Sequence, residues 1–363
     1  MEMINTYEKW LAKEGLPVIK DYSVFDLLAT PLKPWARKGG LGAYINLIGS
    51  ESIIDAYLCE IAPGGSLLPQ RHLYEEIIFI LSGYGATTVW VDGAAKQTFE
   101  WHEGSLFSPP LNAWHQHFNG QTNKPVRYLG VTRAPIFMNL FHDLDFIVHN
   151  DFVFKKRFSG DEGYFKSEGR PLEQKDIYDN PKIWESNFIP DCRAFALIDD
   201  PKRGGLSTNV FFDLSNGAMT SHISEFPAGT YMKAHYHGPG THLICLSGQG
   251  YELMWPREAG ITARGVERLR IDVQRHSLFA PPDLWFHQHF STGEEPVKLL
   301  AFHDDWSKKY VGLAKDWGRA KGIEEGGTQI NYEEEDPEIR RLFREELART
   351  GAPWRMSKYF PGE

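Results

Sequence analysis

The sequence predicts an all-β fold built twice, a sandwich or barrel in each half, with helices only at the periphery. Three observations predict it. The chain repeats itself, its apolar runs are short and bounded by Gly, Pro, Asn or Asp, and helical periodicity lies mainly outside the repeats. The 363 residues allow two domains, and 11 Trp, 15 Tyr and 23 Phe can supply a substantial core.

The repeat is direct. IFILSGYG at Ile78 to Gly85 returns as LICLSGQG at Leu243 to Gly250, and SLFSPPLNAWHQHFN at Ser105 to Asn119 returns as SLFAPPDLWFHQHFS at Ser277 to Ser291. The first pair is offset by 165 residues and the second by 172, so the later copy carries seven extra residues around PREAGITARGVERLR. A surface hairpin absorbs such an insertion at little entropic cost. Strands are expected at Ala56 to Ile61, Ile77 to Leu81, Ala86 to Val91 and Arg127 to Thr132. Their counterparts are Met219 to Phe226, His242 to Leu246, Tyr251 to Trp255 and Val297 to His303.

These limits divide the chain into a first barrel at 40–135, a connection at 136–190, a second barrel at 191–305 and a helical extension at 306–363. A short helix is expected at Tyr7 to Glu14. A stronger one is expected at Pro337 to Thr350, where Pro suits the first turn, Ile339, Leu342, Phe343 and Leu347 form one face, and Gly351 stops it. Gly318 to Asp336 reads as a linker.

The net charge of -9 argues against a nucleic-acid surface. Cys59, Cys192 and Cys245 lack CxxC spacing, which argues against a disulfide framework or zinc knuckle, and two of them sit in apolar, strand-like runs where a small buried side chain is expected. No stretch reaches the roughly 18–20 apolar residues of a membrane helix, and a cytoplasmic location is expected.

The chemistry concentrates in histidines. Gln70 and His72 are two residues apart, so on a strand they share a face; Glu76 can return to that face after a bend, and His115 and His117 form another same-face pair. Imidazole, carboxylate and amide donors together suit a divalent ion. The second copy offers His235 and His237, then His287 and His289. Thr241 replaces Glu76, with His242 displaced by one residue. Three neutral histidines on one face would leave positions open for substrate, water or oxygen.

GSLLPQRHLYEEIIFILSG resembles the first motif of the cupin family, with Gly64, His72, Glu76 and Gly83 at family spacing and Gln70 in place of the first histidine. EGSLFSPPLNAWHQHFN resembles the second motif through Gly104, Pro110, His115 and Asn119, with Asn112 replacing a glycine. The later copy matches at Gly229, His235, His237, Gly248, Pro282 and His287, and departs at Thr241, His276, Leu284 and Ser291. The resemblance covers roughly residues 40–305 and implies two double-stranded β-helix (jelly-roll) barrels. Loss of the second carboxylate is similar to the three-histidine iron sites of gentisate and 1-hydroxy-2-naphthoate dioxygenases.

That similarity implies an Fe(II)-dependent ring-cleaving dioxygenase using O2 on a hydroxylated aromatic acid. His235, His237 and His287 would be ligands, and His242 or His289 supporting or alternative groups. Metals are expected at Gln70, His72, Glu76 and His115 as well; Mn(II), Ni(II) or Zn(II) are alternatives to iron. Two other classes stay open: a non-oxidative lyase, isomerase or decarboxylase, and a binding protein without catalysis. Arg193 and Arg275 are candidates to meet a substrate carboxylate, and Trp90, Trp114, Trp255 and Trp285 to line pockets. A homodimer or larger homo-oligomer is expected, with no nucleic-acid or membrane partner.

Overall fold

The computed structural model describes residues 5–50, 52–173, 182–260, 265–304 and 321–362. Each half is a two-sheet barrel. In the first, a large sheet runs Val18–Ile19, Gly40–Ile45, Asp55–Ile61, Val126–Thr132, Glu76–Ser82, Leu106–Phe107 and Phe188–Ile189; it faces Trp114–Asn119, Tyr84–Trp90 and Gln97–His102. The second repeats the plan: Thr208–Leu214, Thr220–Phe226, Val297–His303, Thr241–Ser247 and Leu278–Phe279 face Thr230–Tyr231, Trp285–Ser291, Gln249–Pro256 and Leu269–Gln274.

The halves are interlaced rather than strung in series. Ser23–Val24, from before the first barrel, pairs with Leu278–Phe279 of the second, and Phe188–Ile189 pairs with Leu106–Phe107 of the first. Strands therefore extend each barrel beyond residues 40–135 and 191–305. The extra residues of the later copy fall partly at 261–264, and the linker at Gly318 to Asp336 partly at 318–320, both outside the described residues.

The unbroken apolar runs follow from burial on both faces. In Glu76–Ser82, Ile78 and Ile80 point into the first barrel, while Ile77, Phe79 and Leu81 enter a core shared with the second. In Thr241–Ser247, Leu243 and Cys245 point inward and Ile244 and Leu246 enter the shared core. The three cysteines are buried and free.

Four α-helices lie among the described residues. The N-terminal helix spans Thr6–Glu14, capped by Asn5 accepting from Glu8 N–H. Ala134–Phe141 and Leu144–His149 follow the first barrel. The expected C-terminal helix is Pro337–Thr350, with Pro in its first turn, Asp336 as its cap, Gly351 at its end and Ile339, Phe343 and Leu347 buried. No helix among the described residues is long and apolar enough to cross a membrane.

Three departures from the motif glycines have a structural counterpart. Asn112, His276 and Leu284 all adopt positive φ, at 58°, 72° and 57°, a conformation that side chains other than Gly rarely adopt. Asn112 is held there by its amide, which donates to Asn150 O and Phe152 O.

Candidate metal centres

In the first barrel, antiparallel bridging sets Gln70 opposite His115, and Glu76 opens the strand that runs beside Val126–Thr132. His72, Glu76 and His115 converge, each offering a ligand atom within 4.8 Å of the others. Glu76 Oε2 lies 3.6 Å from His72 Nε2 and 3.7 Å from His115 Nε2.

The far sides of both rings are anchored. His72 Nδ1 donates to Tyr74 O at 2.7 Å and His115 Nδ1 to Ala113 O at 3.2 Å, which leaves each Nε2 lone pair aimed at the centre. Those two nitrogens and Glu76 Oε2 are buried without a hydrogen-bond partner. Orphaned donors of this kind suit a divalent cation.

Burial would raise the Glu76 carboxyl, but the Lys38 ammonium and the two imidazoles hold it well below the usual range. Burial pushes His115 down to about 3, so it stays a neutral ligand. Gln70 is engaged elsewhere: its Oε1 accepts from Arg37 Nη1 at 3.1 Å. Ser108, in the FSPP segment, donates to Glu76 O at 2.7 Å and so fixes the backbone of that ligand.

Sequence reasoning missed two groups here. Lys38 Nζ donates to Tyr57 OH at 2.7 Å, and Tyr57 OH donates to Glu76 Oε1. Neither lies in a repeated motif. Only their neighbours in the fold reveal them.

In the second barrel, His235 bridges His287 as Gln70 bridges His115. The nitrogens that converge within 4.8 Å belong to His235, His287 and His289. His237 is near, its ring 4.6 Å from that of His287, but it is not in that set. Backbone carbonyls again fix the rings: His235 Nδ1 donates to Lys233 O at 3.0 Å and His287 Nδ1 to Trp285 O at 3.2 Å. His289 Nδ1 sits 2.5 Å from the buried carboxylate of Glu252, which sequence reasoning also missed. A carboxylate behind a histidine orients the ring and raises its basicity as a ligand. Burial lowers the pKa of His287 and His235 well below the usual value, the Arg203 charge adding to the effect on His235.

A cavity of about 40 Å³ opens against this cluster, lined among others by His235, His237, His287, His289, Thr241 and Arg203. His242 does not line it. That residue follows Thr241 on the strand, so it faces the shared core with Ile244, and burial lowers its pKa to about 3.

The cationic neighbour is Arg203, buried and with Nη1 3.4 Å from Gln329 Oε1. Arg193 and Arg275 instead form a partly exposed ion-pair group with Glu103, to which Arg193 adds Asp191. Trp90 stacks on Trp114 at 6.0 Å, Trp255 is core, and Trp285 packs beside Tyr22. None of the four lines the cavity.

Residues 57–132 match the Cupin domain family. An oxalate decarboxylase structure superposes with a TM-score of 0.50 and 15% identity over 78% of this chain and 77% of that one. By fold the chain is a bicupin, two cupin-like barrels of which the first carries the matched domain. The bicupin is also similar to 5-aminosalicylate 1,2-dioxygenase of Comamonas sp, 31% identical over 107 residues. That match spans 26% of the bicupin and only 27% of the dioxygenase. Vicilin from hazelnut, Corylus avellana, superposes with a TM-score of 0.48 and 10% identity over 78% of the bicupin and 85% of its own chain.

A pH effect follows from the buried carboxyl of Asp55, which receives the Tyr7 hydroxyl and Asn46 Nδ2. Burial raises its pKa from 3.8 to about 7, against the pull of those hydrogen bonds. Between these values the folded chain holds a proton that the unfolded chain has lost, so stability falls as pH rises through the window and levels off above about 7. Urea midpoints measured across this range should show the slope, and Asp55→Asn should flatten it.

Proposed function

We propose that this bicupin is a metal-dependent enzyme of a small organic acid, working without oxygen as a lyase, isomerase or decarboxylase. Its reaction chamber is the second-barrel cavity. The observation that carries the reading is the size of that space beside a buried guanidinium: about 40 Å³, whereas a cavity that holds benzene measures about 150 Å³.

Arg203 would bind the substrate carboxylate, and His235, His287 and His289, with His237 beside them, would hold the ion. A bound divalent ion, Mn(II) or Fe(II), supplies Lewis-acid polarisation of a substrate oxygen. Proton movement has a route. The Thr241 hydroxyl lies 3.1 Å from His303 Nδ1, and His303 Nε2 lies 2.7 Å from Nδ1 of the partly exposed His222. The first centre, closed around its donors, suits a structural ion. The reading includes a cytoplasmic homodimer or larger homo-oligomer.

A second reading, Fe(II)-dependent cleavage of a hydroxylated aromatic acid by O2, is favoured by the stretch similar to 5-aminosalicylate 1,2-dioxygenase and by the neutral donor set. It requires the chamber to widen. Anaerobic reconstitution with Mn(II) or Fe(II), followed by short-chain acids and hydroxybenzoates with and without air, separates the two. Turnover of a short-chain acid without oxygen is expected; oxygen uptake coupled only to aromatic acids would overturn the proposal.

A further inference from the structure

We infer that the N-terminal helix is a gate over the first metal centre, and that its docking decides whether Gln70 joins the ligands. The converging atoms of His72, Glu76 and His115 are sealed from solvent. Beside them, reached through the Tyr57 hydroxyl that donates to Glu76, is a small chamber lined by Arg37, Lys38, Tyr57 and Tyr74 and by Tyr7 and Trp10 of the helix Thr6–Glu14.

The helix packs Tyr7, Trp10 and Leu11 against the apolar core of the first barrel, and polar contacts latch it there. Tyr7 OH donates to Asp55, Tyr7 N–H to Asn139 Oδ1 at 3.1 Å, and Trp10 Nε1 to Tyr44 OH at 3.1 Å. At its last turn, the Glu14 carboxylate accepts from Trp35 Nε1 and, at 2.9 Å, from Arg37 Nε. Arg37 in turn holds Gln70 Oε1. The docked helix thus fixes the guanidinium that occupies the amide oxygen Gln70 would offer an ion. Undocking frees that oxygen.

The hinge is also present. Gly15 ends the helix at a φ of 68°, with open space around it, and the chain re-enters the sheet at Val18–Ile19, paired with Tyr44 and Ile45. Nine residues are too few to hold a helix in water alone, so undocking and unfolding of this segment are one event. The barrel behind the hinge need not move.

Metal release tests this without any substrate, and so independently of the proposed reaction. The full-length protein, loaded with Mn(II), is mixed with excess chelator, and release is followed in time. Two phases are expected, the slow one absent in Glu76→Gln. Above about pH 7, where Asp55 is ionised, Tyr7→Phe removes a hydrogen bond to a carboxylate and Glu14→Gln removes the charge that Trp35 and Arg37 bind; each should speed the slow phase about tenfold and leave the fast phase unchanged. Hydrogen exchange over residues 6–14 should rise in step. A single phase in the wild type, or an unchanged slow phase in both variants while exchange shows the helix loosened, overturns the gate. So does a protein whose only bound ion is lost with His287→Ala and kept with Glu76→Gln.

Discussion

His287→Ala will abolish turnover, by about a thousandfold or more, and remove one equivalent of metal from the chain, because His287 is one of the three converging donors of the second barrel. The neighbouring histidines sharpen this result. His289 is backed by Glu252 and belongs to the converging set, whereas His237 stands at its edge. His289→Ala should therefore lose the ion as His287→Ala does, and His237→Ala should keep it while turnover falls. Elemental analysis beside steady-state kinetics checks each variant, and the opposite order would restore the ligand set of His235, His237 and His287 expected from the motif.

The second large effect is on stability. Glu75→Ala should cost about 3–5 kcal/mol, since it strips a buried carboxylate from partners that cannot be resolvated. Glu75 accepts from the backbone N–H of Ala218 and Met219 at 2.9 and 3.0 Å and pairs with Arg157 at 2.8 Å. Arg133, 3.8 Å from Glu75, reaches Asp304 at 2.5 Å. These contacts tie the strand bearing Glu76 to the turn that opens Thr220–Phe226 in the other barrel. Denaturant midpoints should fall sharply for Glu75→Ala and less for Glu75→Gln, which retains an acceptor for the two amides. A loss under about 1 kcal/mol in Glu75→Ala would place this residue among ordinary surface pairs.

The duplicated architecture was legible because two-faced burial writes itself as short unbroken apolar runs, and because each glycine-marked turn recurs, as at Gly83 and Gly248. Interlacing was not legible. Ser23–Val24 and Phe188–Ile189 are two-residue pairings, too short to carry a period, and only the fold brings them to the opposite barrel.

The i,i+2 histidines showed where donors gather. They did not show which way His242 faces, since a run buried on both sides has no polar alternation to decide it, nor that Gln70 is claimed by Arg37. Arg203, Glu252, Lys38 and Tyr57 reach the centres from separate strands and loops, so no local motif announces them. Arg193 and Arg275, candidates to meet a substrate carboxylate from their places near the second-copy strands, spend their charge on Glu103.

The account rests on neutral imidazoles of the second barrel holding one exchangeable ion beside Arg203. Anomalous scattering from crystals grown with Mn(II) tests this most directly. The account predicts a peak about 2.0–2.3 Å from Nε2 of His235, His287 and His289, a normal coordination distance, inside the cavity that Arg203 lines. Density confined to His72, Glu76 and His115, with the second cluster bare under saturating metal, would contradict it.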